Sequence, residues 1–294
     1  MPEQTLGGVY VANVTPFKDD AILSVDDGAY LEHVAWLSEQ GVRGVVPFGT
    51  NGEGPSVSLE EKLRVLGALF DCASRLQVIP SVMQGNLPDT LHMIEALNGH
   101  PATAVLVLPP YYFKPADAEG LKRFYGPVIE ASQHPVVAYH IPKYAVPVHI
   151  EVVGALPFWG VKDSGGEPGY AEAVLGAGKG VLVGTEDDVS SRVGIGAQGA
   201  ISALANFVPE EVVALYESAR TDDGTVGEAL ADALREARAR TKEYSSPAVL
   251  KRLAQERHGV PMGTVRPPFV PLPEGYDPGE VIRIARAAGP GGAA

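Results

Sequence analysis

The chain has 294 residues, 45% of them hydrophobic and 20% charged, a composition typical of a folded globular protein rather than a disordered one. Its 36 acidic and 23 basic residues leave a net charge of −13, which repels nucleic acid phosphates and anionic membrane surfaces and argues against both as partners. The single cysteine excludes an intramolecular disulfide and a thiolate metal cage and favours a reducing cytoplasm, and the N-terminus carries no targeting pattern.

Eight short β-rich segments recur along the chain, with helical patterns between them. Strands that alternate with helices predict parallel pairing, and their near-continuous apolar character predicts that both faces of the sheet are covered. Eight such units predict a closed α/β fold, the (β/α)8 TIM barrel, with a doubly wound sheet as the alternative. The segments are residues 9–13, 44–48, 78–83, 104–108, 136–140, 160–162, 181–184 and 200–202.

Helix signals mark the connections between these strands. Ser58 with Glu61 forms a capping-box sequence at the start of a helical pattern. Cys72 lies within that pattern, over residues 60–75, and is interpreted as a core residue. Two further helical patterns cover residues 25–40, after Ser24, and residues 116–132, after Pro115.

Beyond Pro209 the sequence shows only helical patterns and a proline-rich stretch at residues 261–273. We predict that residues 1–223 form the catalytic barrel and that residues 224–294 form a helical extension, packed on the barrel or used in an oligomer contact. The predicted helices cover residues 209–218, 225–242, 247–258 and 278–288.

Barrel enzymes carry their chemistry at the carboxyl ends of the strands. Lys162 ends an apolar run, residues 158–161, and so falls at such an end. Removal of a lysine from water disfavours its ammonium form, and an uncharged amine attacks ketones. Position alone leaves open the alternative of a surface lysine whose apolar stem covers its neighbours.

A short glycine motif follows the second predicted strand. Gly49 and Gly52 permit backbone geometries closed to other residues, so the amides around Thr50 and Asn51 are expected to converge on a carboxylate. Thr50 adds a hydroxyl to this loop. The alternative is a tight turn that merely starts the next helix.

Three tyrosines lie at or just after the ends of predicted strands. Tyr139 is expected at the barrel rim, where a phenol passes protons to and from a bound intermediate, unless it only packs. Tyr111 and Tyr112 stand behind two prolines and suit either a lid over the pocket or a subunit contact. His140 alternates with Tyr139, so its side chain is predicted to point away from the barrel interior.

An amine, a carboxylate-binding loop and hydroxyls together predict chemistry on a 2-oxo acid, because an imine withdraws electrons from the adjacent carbon without a metal or organic cofactor. Glu186, Asp187 and Asp188 stand where barrels often bind phosphate, which disfavours a phosphorylated substrate; alternatively they begin a helix. The seven histidines lack metal-ligand spacing, which disfavours a metal-dependent aldolase.

These features resemble the dihydrodipicolinate synthase and N-acetylneuraminate lyase family of pyruvate-dependent, Schiff-base aldolases over nearly the whole chain. The matching residues are 14–17, 49–53, 110–112, Tyr139, Pro142, 160–162, 199–202, Ala205, Asn206, Pro261, Gly263, Arg266, Pro267 and Pro271.

The resemblance implies a role for each matching position. Lys162 would carry the Schiff base, and Tyr139 would transfer protons. Thr50 would link Tyr139 by hydrogen bonds to Tyr112 of a neighbouring subunit, in a homotetramer built as a dimer of dimers. Pyruvate and an aldehyde would be the small-molecule partners, with no cofactor and no metal. Substrate-binding positions are expected at Gly49, Asn51, Gly52, Ser164, Gly184 and Ile201.

Three departures bear on the substrate. Dihydrodipicolinate synthases usually carry a second threonine at the position of Asn51 and an arginine at the position of Tyr144, where only Lys143 stands alongside. The run at residues 162–166 and Asn51 look more like 4-hydroxy-2-oxoglutarate aldolases and keto-deoxy sugar acid enzymes. We therefore expect a lyase for a non-phosphorylated 2-oxo acid, with a dihydrodipicolinate synthase and a non-catalytic 2-oxo acid sensor as alternatives.

Overall fold

The computed structural model describes residues 6–72, 75–221 and 224–290. Nine short strand segments of this region form one parallel sheet in the order β3-β2-β1-β9-β8-β7-β6-β5-β4. The strands are β1 (Gly8–Val11), β2 (Gly44–Val45), β3 (Gln77–Val78), β4 (Ser81–Val82), β5 (Val105–Val107), β6 (Val136–His140), β7 (Gly160–Asp163), β8 (Gly180–Val183) and β9 (Gly199–Ser202).

The sheet closes into a barrel because β3 and β4, at the two ends of the strand order, are consecutive segments of the chain. β3 pairs with β2, and β4, which follows after Ile79 and Pro80, pairs with β5 at the other end of the strand order. Pro80 has no N–H to donate, but its carbonyl accepts a hydrogen bond from the Leu106 amide at 2.9 Å. With β3 and β4 counted as one interrupted strand, the described residues form eight strands. This confirms the predicted TIM barrel over the doubly wound sheet.

Eleven α-helices of the described residues surround or flank this barrel. They are α1 (Asp27–Ser38), α2 (Leu59–Cys72), α3 (Leu87–Leu97), α4 (Ala118–Ala131), α5 (Ile150–Ala155), α6 (Tyr170–Gly176), α7 (Val189–Gly194), α8 (Pro209–Thr221), α9 (Gly224–Arg240), α10 (Ser246–His258) and α11 (Pro278–Arg286).

Helix starts follow local hydrogen bonding. The capping box before α2 is confirmed, because the Glu61 amide donates to Ser58 Oγ at 3.2 Å and the Ser58 amide donates to the Glu61 carboxylate at 3.0 Å. α1 and α4 begin two residues later than predicted. Asp26 and Asp117 supply their N-cap oxygens, which Ser24 and Pro115 do not.

Cys72 is exposed, and its interpretation as a core residue is wrong. α2 buries a stripe that includes Val65, Leu66 and Leu69, but Cys72, the last of its described residues, lies beside an open groove between α1 and α2. The predicted continuation of this helix includes residues 73–74, which lie outside the described residues.

Side chains on alternate strand positions separate two apolar layers. The barrel interior contains Tyr10, Leu106, Val137, Leu182 and Ile201. The residues between them on the strands, such as Val9, Val105 and Val181, pack against the helices instead. This alternation follows from the two-residue period of a strand, and it directs inward-facing residues near the strand ends toward the rim.

The four predicted C-terminal helices are confirmed, with small shifts in their bounds. α9 packs against α8 and α11, and α10 packs against α11. The division into a barrel of residues 1–223 and an extension of residues 224–294 stays a prediction.

Candidate active site

Lys162 and Tyr139 are neighbours inside the barrel. They are register partners on β7 and β6, and the Lys162 Nζ lies 4.3 Å from the centroid of the Tyr139 ring. The Lys162 side chain is only 4% exposed. The surface-lysine alternative for Lys162 therefore fails, and the amine faces a phenol in a water-poor interior.

Thr50 joins this pair from the loop after β2. Its Oγ1 lies 3.2 Å from the Tyr139 hydroxyl. Burial alone would raise the pKa of the Tyr139 phenol, but the charge of Lys162 and polar contacts with Thr50, Lys162 and Ser164 outweigh it, so the pKa lies below its ordinary value of 10.0. A phenol of this kind exchanges protons more readily with a neighbouring amine.

Residues 49–53 form the substrate loop, in which Gly52 is needed for space rather than for backbone freedom. Neither Gly49 nor Gly52 has a positive φ, which corrects the expected reason for their presence; the left-handed conformations fall on the flanking Phe48 (φ 58°) and Glu53 (φ 54°). A Cβ on Gly52 would lie 2.8 Å from the Asn13 carbonyl oxygen, so a side chain is excluded there.

Asn51 contacts the C-terminal helices. Its Oδ1 accepts a hydrogen bond from the hydroxyl of Ser246, the first residue of α10, at 3.3 Å. Both side chains are half-buried. Sequence reasoning placed Asn51 in the site but did not identify Ser246.

Ser164 and Gly184 fit together at the ends of β7 and β8. A Cβ on Gly184 would overlap the Ser164 Oγ, and the Gly184 amide donates to the Asp163 carbonyl at 2.7 Å. The missing side chain thus leaves room for the hydroxyl that contacts Tyr139. Ile201, on β9, is a buried residue of the barrel interior.

Tyr112 does not join Thr50 and Tyr139 within one chain. The residue is 81% exposed, and its ring packs edge-on against Phe113 with centroids 5.1 Å apart. Tyr111 is half-buried beside the barrel interior. The role of Tyr112 in a neighbouring subunit stays a prediction.

Nearly the whole chain matches one protein-family model. The model described as the dihydrodipicolinate synthetase family matches residues 5–285. The chain belongs to the dihydrodipicolinate synthetase family. It is therefore a lyase of the class I, Schiff-base, pyruvate-dependent kind, as its sequence predicted.

Several relatives are similar over most of their length. An uncharacterized DapA-like lyase of Chloroflexus aurantiacus is 29% identical over 90% of this chain and 91% of its own. A 4-hydroxy-tetrahydrodipicolinate synthase of Bartonella bacilliformis is 30% identical over 91% and 93%. Another, from Methanococcus vannielii, is 32% identical over 72% and 75%.

Solved structures of the family share the fold. A dihydrodipicolinate synthase crystal structure superimposes with a TM-score of 0.85 at 28% identity, over 96% of this chain and 98% of that one. A 2-keto-3-deoxygluconate aldolase variant of Sulfolobus solfataricus gives 0.84 at 23% identity, over 96% and 94%. The second likeness bears on the fold alone.

A buried charge network supports the substrate loop of this family member. The Lys251 Nζ lies 2.6 Å from Glu53 Oε1, and the Arg266 amide donates to Glu53 Oε2 at 2.9 Å. The Arg266 guanidinium also bonds both carboxylate oxygens of Glu61. These contacts hold Glu53 in its left-handed conformation, which costs a non-glycine residue free energy. Motif matching included Glu53 and Arg266, but their partnership was missed.

His140 points out of the barrel, as predicted. Its Nδ1 accepts a hydrogen bond from the Val148 amide at 3.2 Å, and its Nε2 lies 3.3 Å from the Glu167 carboxylate. Burial lowers the pKa of His140, although Asp163 and Glu167 oppose the shift. A Cβ on Gly165 would come within 2.6 Å of Nε2, so this ring and Gly165 shape the turn that carries Ser164.

The acidic residues after β8 form a 3₁₀ turn, Glu186–Asp188, followed directly by α7. Glu186 is buried, accepts hydrogen bonds from Ser202 and from the amides of Ala203 and Leu204, and lies 3.6 Å from Arg238 on α9. Its carboxylate thus joins two loops and α9 rather than facing the pocket.

Within residues 6–72, 75–221 and 224–290, no group of three or more histidine, cysteine, aspartate or glutamate side chains is arranged to hold a metal ion. Helices of the same ranges are too short or too polar to cross a membrane.

Proposed function

We propose that Lys162 is the Schiff-base nucleophile of a lyase that acts on a non-phosphorylated 2-oxo acid. The single observation that carries this proposal is the buried Lys162 Nζ, 4.3 Å from the ring of Tyr139, whose hydroxyl lies 3.2 Å from Thr50 Oγ1. Nucleophile, proton carrier and orienting hydroxyl are thereby adjacent, which is the arrangement that covalent catalysis by an amine requires.

The chemistry begins with the amine. The uncharged Nζ of Lys162 attacks the keto carbon, and the hydroxyl of the resulting carbinolamine leaves as water with a proton from the Tyr139 phenol, which gives an iminium ion and a phenolate. The bond between C3 and C4 then breaks, its electron pair moves into the iminium to give an enamine, and the C4 hydroxyl proton passes to the Tyr139 phenolate as the aldehyde leaves. Tyr139 returns the proton to C3, and water hydrolyses the resulting imine to pyruvate and free Lys162. Thr50 orients the phenol throughout.

The carboxylate of the 2-oxo acid is assigned to the substrate loop. Gly49, Asn51 and Gly52 belong to this loop, and Gly52 lets its backbone pack closely against the Asn13 carbonyl. Ser164 supplies a second hydroxyl beside Tyr139, while Gly184 makes space for it. Ile201 forms part of the apolar interior beneath the pocket.

The favoured substrate is 4-hydroxy-2-oxoglutarate or a 2-keto-3-deoxy sugar acid. Asn51 and Ser164 provide polar side chains for hydroxyl and carboxylate groups. Tyr144 stands where an arginine would grip the carboxylate of aspartate semialdehyde, and Tyr144 and Lys143 are both exposed, with the Lys143 Nζ stacked 4.9 Å from the Tyr144 ring centroid. Neither side chain supports a second carboxylate site inside the barrel of one chain.

Condensation of pyruvate with aspartate semialdehyde is the alternative. It is supported by the relatives at 30–32% identity that are named 4-hydroxy-tetrahydrodipicolinate synthases. A 2-oxo acid sensor on the same scaffold would bind its ligand without turning it over, so a measured turnover separates it from both enzymes.

The quaternary structure belongs to the same proposal. Tyr112 is exposed at the loop after β5, and we assign it to the Thr50 of a neighbouring subunit in a homotetramer built as a dimer of dimers. The cytoplasm is the proposed compartment, and no cofactor is assigned.

Borohydride trapping tests the nucleophile. Incubation with pyruvate and borohydride is expected to add one reduced pyruvate to Lys162, located by peptide mass spectrometry, and an unmodified protein would refute the imine. The substrate is decided by assaying cleavage of 4-hydroxy-2-oxoglutarate and 2-keto-3-deoxygluconate beside condensation of pyruvate with aspartate semialdehyde. Activity in the condensation alone would refute the favoured substrate class.

A further inference from the structure

Helix α10 contacts the substrate loop at two points. The Ser246 hydroxyl donates to Asn51 Oδ1 at 3.3 Å, and the Lys251 Nζ lies 2.6 Å from the Glu53 carboxylate. Lys251 stands five positions after Ser246 on the helix, a rise of about 7.5 Å along the axis. One helix of the C-terminal region therefore holds two side chains of the same short loop.

The two contacts have different consequences. Lys251 fixes the backbone of the loop, because Glu53 is buried and adopts a left-handed φ of 54°. Ser246 instead contacts the tip of a side chain, so it determines how the amide of Asn51 is turned. With Oδ1 accepting from Ser246, the two Nδ2 hydrogens of Asn51 have no partner among the described residues and remain for a ligand.

The Ser246 hydroxyl is not needed by its own helix. A serine at the start of a helix commonly caps it through a hydrogen bond to a backbone amide. Here the N-cap is Ser245, which makes no such bond, and Pro247 occupies the first turn without an N–H to satisfy. The hydroxyl of Ser246 is directed at Asn51 instead of at the backbone of α10.

We propose that Ser246 is a positioning residue that orients the Asn51 amide as a donor to the carboxylate of the bound 2-oxo acid. The proposal rests on the Schiff-base function argued above. The argument for the carboxylate is positional. Asn51 directly follows Thr50, whose hydroxyl meets Tyr139, so the substrate loop stands beside the keto carbon that Lys162 attacks. Amide hydrogens are matched to a carboxylate acceptor, and without Ser246 the Asn51 side chain loses the contact that holds its amide in place.

The expected effect is on substrate affinity rather than on the chemical step. Ser246→Ala removes the hydrogen bond that holds the Asn51 amide in place, so the pyruvate concentration that half-saturates borohydride trapping should rise about 3- to 10-fold, the value of one hydrogen bond. The limiting rate of trapping at saturating pyruvate should stay within about twofold of the wild type, since Lys162 and Tyr139 are untouched. Ser246→Thr retains a hydroxyl and should restore the half-saturating concentration.

Ser245→Ala is the matched control. The Ser245 hydroxyl is buried and has no hydrogen-bond partner among the described residues, so its loss should leave the pyruvate dependence unchanged. In an Asn51→Ala background, Ser246→Ala should add nothing further, because the amide that it orients is gone. A merely structural role would give the same loss in both backgrounds.

Failure of the inference and failure of the proposed function give different results. Wild-type protein that forms no reduced adduct with pyruvate overturns both. An adduct in the wild type, with equal half-saturating concentrations for the wild type and Ser246→Ala, overturns the inference alone. Equal losses from Ser245→Ala and Ser246→Ala, or an undiminished loss in the Asn51→Ala background, also overturn it.

Discussion

Acid should weaken this fold through buried His33 and its half-buried partner His258. His33 is fully buried on α1; its Nε2 lies 3.1 Å from Asn206 Oδ1 and its Nδ1 lies 3.1 Å from His258 Nε2. The Asn206 Nδ2 donates to the carbonyls of Ala12 and Ala203, so its Oδ1 must accept. His33 therefore donates from Nε2 and accepts at Nδ1, which requires the uncharged ring.

The magnitude follows from the protonation of this ring. Burial, reinforced by the charge of His258, lowers the pKa of His33 from 6.5 to about 3. The unfolded chain takes up this proton below pH 6.5 and the folded protein only near pH 3, so the free energy of unfolding falls by about 1.4 kcal/mol per pH unit in that window. Between pH 6.5 and pH 5 the loss from His33 is about 2 kcal/mol. His258, whose pKa burial lowers to about 4, adds to the same trend.

His33→Gln is the perturbation, because glutamine can donate and accept without titrating. Urea unfolding at pH 7, 6 and 5 is followed by tryptophan fluorescence at fixed protein concentration, with Trp36, 4.6 Å from the His258 ring, as the local probe. The variant should lose about 2 kcal/mol less than the wild type between pH 7 and pH 5. His92→Gln, at an exposed position, should follow the wild type. Parallel pH curves for His33→Gln and wild type would refute the reasoning.

Three further outcomes are expected. Tyr139→Phe should lower kcat by about 10²- to 10⁴-fold in the cleavage assay while a pyruvate adduct still forms slowly, because the proton carrier is lost but the amine remains. Glu53→Gln should lower the free energy of unfolding by about 3 kcal/mol in urea titrations, since Lys251 is left buried without its counter-charge. Gly184→Ala should reduce kcat/KM at least tenfold, because the new methyl group displaces Ser164.

Matched variants exist for the last two outcomes. Asp232 pairs with Arg235 on the exposed face of α9, so Asp232→Asn should change stability by less than about 1 kcal/mol. Gly176, on α6, has open space where a Cβ would stand, and Gly176→Ala should leave kcat/KM unchanged. Equal losses from a test variant and its control would contradict the corresponding explanation. A Tyr139→Phe enzyme with full activity would remove the phenol from the mechanism.

The rim of the barrel could be predicted because it depends on local pattern. A strand has a two-residue period, so Tyr139 inside and His140 outside follow from their order alone. Lys162 follows from its place after an apolar run, and Thr50 from its place after the second strand. Parallel strands of a barrel bring their carboxyl ends together, so the sequence alone predicts that these residues are neighbours.

The contacts that hold the substrate loop could not be predicted in the same way. Ser246 and Asn51 are 195 positions apart, and Arg266 and Glu53 are 213 apart. No periodicity links such pairs, since their meeting depends on how α10 and the segment after it dock on a finished barrel. Local rules also misassigned the strained backbone, because the left-handed conformations of the loop fall on Phe48 and Glu53 rather than on glycine.

The long sequence interval between the substrate loop and α10 determines when, during translation, the active site can become complete. At roughly 5–20 residues per second, translation needs about 10–40 s to proceed from Asn51 to Ser246. During that interval every barrel strand has been synthesised, yet the loop lacks both of its α10 contacts. Catalytic activity should therefore appear late and abruptly in synthesis. Nascent chains that end before Ser246 should contain Lys162 but lack the α10 contacts that hold the substrate loop.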